Sequence, residues 1–271
     1  MRKPRDYEIK VFEDTMNKAY NEYKEETNAL RKPKQTKVYE KPIHISTPII
    51  PTRRMNISVV NDGTVNAGHR LARDCGKTAI LNFADALVPG GLVLTGATTQ
   101  EENICRCSNL YASITTKTAK KRYYDVNNKY ISKYNRHGVY TDNLIYSKDV
   151  LFFKDDANYL DVEPYHMDVI TCPAPSCKLS MYAEYNVIVN RIEQIIKSAI
   201  VNGVKNIVLG AWGCGAFGQD PYVVAEGFRQ ALLKYPLFDN VVFAIRSCEA
   251  DWDKVTNYGV FKEFFGKGKL K

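Results

Sequence analysis

The chain has 271 residues, 45% of them hydrophobic, enough for a substantial core and better suited to one large domain than to two separate ones. Its seven cysteines, an odd number scattered along the sequence, argue against a complete disulfide framework, and no apolar run approaches the length of a membrane span. A net charge of +8 biases the surface toward anionic partners without choosing among nucleotides, nucleic acid and anionic polymers. The start, Met1-Arg2-Lys3-Pro4-Arg5-Asp6, leads into charged sequence instead of an apolar signal core, so a cytoplasmic location is expected, with the nucleus as the alternative.

From Tyr7 to Leu30 apolar residues recur at helical spacing (Ile9, Phe12, Met16, Tyr20, Tyr23), which predicts an amphipathic helix added ahead of the main domain. Arg31–Pro51, with four prolines, reads as an extended linker, so residues 1–51 are set apart from a main domain of residues 52–271. Beyond it, β-branched runs alternate with helical stretches, the pattern of a largely parallel α/β sheet flanked by helices. Strands are expected at Asn56–Val60, Thr78–Phe83, Asp168–Thr171, Asn206–Leu209 and Asn240–Ala244. Helices are expected at Val65–Asp74, Gln100–Thr118, Tyr182–Asn202 and Pro221–Lys234. Tyr123–Asn143 reads as a loop-rich excursion, and Leu144–Phe153 as two short strands.

In open α/β sheets, ligands bind beyond the carboxyl ends of the strands, and two strand-to-helix loops here are rich in glycine. The first runs from Ala84 to Thr99 and carries Gly90, Gly91 and Gly96 before a helix that opens with Gln100-Glu101-Glu102. Glycines there let backbone N–H groups approach a ligand closely, which suits a phosphate-bearing substrate. The carboxylates also have a plain structural explanation, because Thr99-Gln-Glu-Glu102 has the form of a capping box. A helix N-terminus favours the ionised carboxylate, so a proton-donating Glu102 would need burial beside bound substrate to outweigh the dipole.

The segment Leu81-Asn82-Phe83-Ala84, Pro89-Gly90-Gly91, Gly96-Ala97-Thr98-Thr99-Gln100-Glu101-Glu102 resembles the signature of the microbial-type poly(ADP-ribose) glycohydrolases, a macrodomain-like family with a triple glycine followed by Gln-Glu-Glu. The resemblance implies that Glu102 is the catalytic acid/base, that Glu101 positions the substrate ribose, and that Asn82 contacts the distal ribose. Gly90, Gly91 and Gln100 fall in the same implied binding region. One departure stands out: Leu92 occupies the place of the third glycine.

The second loop, Gly210-Ala-Trp-Gly-Cys-Gly-Ala-Phe-Gly-Gln-Asp220, contains a G-x-G-x-x-G run between a strand and a helix, so an NAD-dependent Rossmann oxidoreductase is a competing reading. Against it, the next strand, Asn240–Ala244, does not end in an acidic residue suited to a ribose. The loop resembles the diphosphate-binding loop of the same glycohydrolases, which implies that Gly213, Cys214, Gly215, Ala216 and Phe217 hold the diphosphate and distal ribose. Helix Pro221–Lys234 would add its N-terminal dipole, with Asp220 as its cap.

Remaining candidates carry less. Thr171-Cys-Pro-Ala-Pro175 reads as a rigid strand exit, His69 and His166 as structural histidines, and Cys214 as a nucleophile without an adjacent base. Cys105 and Cys107, two apart on a helix, face different ways, and no paired Cys/His knuckle lies elsewhere, so no metal is expected, and no cofactor is expected either. Lys120-Lys-Arg-Tyr-Tyr124 would suit nucleic acid or an exposed helix end equally. Both loops fit one family in order, so the expected activity is hydrolysis of a glycosidic bond at the anomeric carbon of ADP-ribose, on polymer or a single modified residue. The alternative is an inactive ADP-ribose-binding module.

Overall fold

The computed structural model describes residues 5–46, 54–134, 138–177, 185–247 and 256–266. Seven strands, β1 (Thr36–Tyr39), β2 (Asn56–Val60), β3 (Thr78–Phe83), β4 (Leu144–Lys154), β5 (Asp161–Cys172), β6 (Asn206–Leu209) and β7 (Asn240–Ala244), form one sheet in the order β1-β4-β5-β3-β6-β7-β2. The β5-β3-β6-β7-β2 portion is parallel throughout, whereas β1 and β5 each pair antiparallel with β4. This mixed order differs from the doubly wound order of a dinucleotide-binding Rossmann domain.

Alternate residues of the inner strands feed two cores, as a sheet covered on both faces requires. Leu81, Ile170, Leu209 and Phe243 point toward helices α8 (Tyr185–Val201), α9 (Pro221–Lys234) and α10 (Asn257–Phe265). Ile80, Val169 and Val208 point the other way, toward α1 (Arg5–Asn21), α3 (Thr64–Cys75) and α4 (Gln100–Cys107).

Several expectations change. The helix expected from Tyr7 to Leu30 breaks near Tyr23 into α1 and α2 (Lys24–Leu30). Part of the expected linker forms edge strand β1, whose Val38 joins the same core as Phe12 of α1 and Leu30 of α2. The helix expected over Gln100–Thr118 stops at Cys107, and α5 (Leu110–Ile114) and α6 (Lys117–Ala119) follow. The expected loop Tyr123–Asn143 contains α7 (Asp125–Tyr134), entered through a π-helical turn over Lys120–Tyr124. The two short strands expected at Leu144–Phe153 are one strand, β4, irregular between Ser147 and Val150. The expected boundary at residue 51, the helix start at Tyr182 and the basic tail from Lys267 lie outside the described residues.

Candidate active site

The Gln100-Glu101-Glu102 run stitches the first glycine loop together. Gln100 faces the end of β3: its Oε1 accepts from the Phe83 N–H at 2.8 Å, and its Nε2 donates to the Leu81 carbonyl at 2.7 Å. Glu101 Oε2 accepts from the Asp85 N–H at 2.7 Å, and Oε1 from Asn82 Nδ2 at 3.2 Å. Glu102 Oε1 accepts from the Leu92 N–H at 3.0 Å, and Oε2 from the Thr99 hydroxyl. The capping box does not form, because Thr99 spends its hydroxyl on the Glu102 side chain and makes no side-chain cap bond. The two carboxylates organise the loop, not the helix end.

Both glutamates are buried. Burial pushes the Glu101 carboxyl well above the usual carboxylate range, over the opposing pull of the Asp85 N–H and Asn82 amide. The loop wraps the carboxylates tightly because Gly90 and Gly91 take φ values of +72° and +58°. A Cβ on Gly91 would lie 2.6 Å from Glu102 Oε1. Leu92 has φ −101°, so the position of the expected third glycine demands no left-handed backbone.

The second loop is pinned by Trp212, which is fully buried and donates from Nε1 to the Cys172 carbonyl at 3.0 Å. Gly213 has φ +79°, and a Cβ there would meet the Ala174 Cβ at 2.6 Å. Among the described residues, the N–H groups of Gly213, Gly215, Ala216 and Phe217 make no hydrogen bond, while Cys214 N–H donates to the Ala211 carbonyl at 3.1 Å. Four unpaired amides in one turn leave backbone donors available to an anion. Asp220 caps α9 by accepting from the Tyr222 N–H at 2.8 Å, so its carboxylate occupies the helix N-terminus expected to aid a diphosphate.

Both loops line one cavity of about 510 Å³ beyond the carboxyl ends of the parallel strands. Of the residues expected from sequence, Gln100, Glu101, Glu102, Gly91, Gly213, Gly215, Ala216 and Phe217 line it. Asn82, Gly90 and Cys214 are not among its lining residues. Asn82 is fully buried and supports Glu101, with its Oδ1 unpaired among the described residues. Gly90 makes room for the Tyr111 ring. Cys214 packs against the core, and burial pushes its thiol up to about 12, against formation of the thiolate.

Sequence reasoning missed one wall entirely. Asp62, Gly63, Asp156 and Arg246 also line the cavity. Arg246 Nη2 donates to the Asp156 carbonyl at 2.8 Å, and Asp156 Oδ2 accepts from the Val65 N–H at 3.1 Å. The Asp62-Gly63 pair at the end of a parallel strand was the available signal, since turn residues there mark the ligand edge of the sheet. Elsewhere, His69 stacks on Tyr165 with ring centroids 4.0 Å apart. Tyr123 and Tyr124 are buried and Arg122 pairs with Glu40, so the basic run Lys120–Tyr124 presents no aromatic rings to nucleic acid.

The sheet order and a cavity at the strand ends lined by two glycine loops are those of a macrodomain-like α/β domain. Residues 10–155, more than half of the chain, match the family described as microbial-type PARG, catalytic domain. The chain belongs to the microbial-type poly(ADP-ribose) glycohydrolase family. It is similar to the crystal structure of poly(ADP-ribose) glycohydrolase from Thermomonospora curvata at 28% identity and TM-score 0.80, covering 96% of this chain and all of that one. The same bacterium's enzyme bound to the inhibitor ADP-HPD matches at 29% identity and TM-score 0.76, over 96% and 100% of the two chains. The Deinococcus radiodurans enzyme in complex with ADP-ribose matches at 29% identity and TM-score 0.73, over 88% and 95%. No curated protein sequence is similar enough to match.

Proposed function

We propose that the chain hydrolyses the glycosidic bond at the anomeric carbon of ADP-ribose, in polymer or on a modified macromolecule, with Glu102 as the general acid and base. The observation that carries this reading is the joining of the two glycine loops in one cavity, with the Glu102 carboxylate on one wall and four unpaired amides on another. Neutral amides accept a diphosphate at one end, which places the distal ribose against the carboxylates at the other.

Glu102 receives one hydrogen bond at each oxygen, which leaves lone pairs of the carboxyl free toward the cavity. In its protonated form it passes a proton to the leaving oxygen as the C–O bond breaks through an oxocarbenium-like transition state. The resulting carboxylate then takes a proton from the water that adds to the anomeric carbon. Glu101 and Asn82 act as a unit: Glu101 anchors the loop through Asp85, and Asn82 fixes Glu101 from behind.

No helix among the described residues is long and apolar enough to cross a membrane. Free thiols at Cys75, Cys105, Cys107, Cys172, Cys177 and Cys214 support a reducing, cytoplasmic compartment.

The test is release of ADP-ribose from ADP-ribosylated polymer and from singly modified peptide. Wild type releases it, and Glu102→Gln loses roughly 10²–10⁴-fold in rate while still binding ADP-ribose. Tight binding without release by wild type would show an ADP-ribose reader instead of an enzyme.

A further inference from the structure

Leu92 lines the active-site cavity, yet the fold uses only its backbone. Its N–H donates to Glu102 Oε1 at 3.0 Å, and its carbonyl accepts from the N–H groups of Thr95 at 3.0 Å and Ala97 at 3.2 Å. Among the described residues the side chain joins no core cluster, and it is 57% exposed. With φ −101°, the position neither requires nor rewards glycine. A large apolar group is therefore held in water beside a carboxylate, at a place where the fold would accept a smaller residue.

The covalent geometry fixes how near it stands. The Cβ lies two bonds from the amide nitrogen, so it is within roughly 5.5 Å of the Glu102 carboxylate oxygen that this nitrogen contacts. In the proposed reaction the bond between the anomeric carbon and the leaving oxygen breaks, Glu102 gives its proton to that oxygen, and water adds to the carbon while returning a proton to Glu102. The leaving group must depart past Glu102, and so alongside Leu92. A leaving group with an aromatic face, such as the nucleoside of the next unit in a chain, takes the leucine out of water in the transition state. A small hydrophilic leaving group does not.

We infer that Leu92 is a specificity-determining residue, an apolar wall for the leaving group that favours linkages between ADP-ribosyl units over linkages to small polar side chains. This rests on Glu102 being the proton donor.

The experiment compares kcat/KM for poly(ADP-ribose) and for a peptide carrying one ADP-ribosyl group on serine, in the full chain and in L92A and L92M. The polymer-to-peptide ratio should fall about tenfold in L92A, the order expected for losing most of one leucine's burial, and stay near wild type in L92M. Affinity for free ADP-ribose, which has no leaving group, and the melting temperature should be unchanged in both. An unchanged or increased ratio in L92A overturns the inference while leaving the proposed function intact, and so does loss of ADP-ribose binding, which would mark Leu92 as structural. If wild type binds ADP-ribose but cleaves neither substrate, the proposed function fails and takes this inference with it.

Discussion

Two glycines of the site separate what the fold needs from what the ligand needs. Gly91 has φ +58° and no room for a Cβ beside Glu102, so Gly91→Ala should cost about 1 kcal/mol in backbone strain and also push the Glu102 carboxylate out of place. Turnover should fall by at least tenfold with ADP-ribose affinity largely kept, as steady-state kinetics and calorimetry would show; equal losses in both would contradict a catalytic placement of Glu102. Gly215 is the opposite case, because a Cβ there meets nothing within 4 Å and its φ is not positive. Gly215→Ala should leave the melting temperature within about 2 °C and weaken ADP-ribose severalfold if the loop's amides hold the diphosphate. Unchanged affinity would move the diphosphate elsewhere. Glu101 supplies a pH test. Burial raises its folded-state pKa, so its contribution to stability is fully present below the ordinary glutamate range and is lost as pH rises through the raised value. Glu101→Gln, which cannot ionise, should lessen the decline in melting temperature above about pH 4.3, the ordinary glutamate value. A wild-type-to-variant difference that stays constant with pH would show that Glu101 does not titrate in that window.

At the scale of elements, α1 is bound into the site through Arg106. This fully buried guanidinium on α4 donates from Nε to the Glu8 carbonyl at 3.0 Å and from Nη2 to the Ala97 carbonyl at 2.6 Å, and the Thr15 hydroxyl donates to the Arg106 carbonyl at 2.6 Å. One side chain thus ties the N-terminal helix to the loop that carries the partners of Glu102. Arg106→Met should destabilise by about 3 kcal/mol, because two buried carbonyls lose charged donors, and a smaller loss in denaturant titration would mean water replaces them. This role depends on α1 meeting α4 in space, a contact no local pattern encodes. The inner parallel strands were legible because both faces are covered, so runs such as Ile207-Val208-Leu209 are apolar throughout. Strand β1 was not, since its Thr36-Lys37-Val38-Tyr39 alternation is four residues long and lies among prolines at a sheet edge. Helix α7 was missed for its Asn and Tyr content; Asn127 is buried because it bonds the Tyr123 carbonyl and receives the Thr141 N–H, contacts that no local pattern encodes. The two glycine loops were legible as a pair, but the Asp62, Asp156 and Arg246 wall depended on β2, β4 and β7 ends meeting in space.

Over the whole molecule, charge and site diverge. The chain carries a net +8, the feature that first pointed to an anionic partner, yet among the described residues the cavity is lined by five carboxyl groups, those of Asp62, Asp85, Glu101, Glu102 and Asp156, and one cation, Arg246. Basic residues on the outer surface raise the local concentration of a polyanion through a long-range field, which salt screens over about 10 Å at 0.1 M. Inside the cavity the diphosphate would meet neutral amides, whose short-range hydrogen bonds salt screens far less. The two terms predict different salt dependences for two ligands. Between about 0.05 and 0.5 M salt, affinity for free ADP-ribose should change by no more than about threefold, while the KM for long polymer should rise by tenfold or more, because only the polymer extends beyond the cavity onto the basic surface. The measurement is a salt series of calorimetric titrations with ADP-ribose alongside kinetics on polymer of defined length. Parallel salt slopes for the two ligands would mean that surface cations, and not the Gly213–Phe217 amides, dominate recognition of the diphosphate; a steep slope that grows with polymer length would locate the net positive charge in capture and leave the cavity to position the bond that breaks.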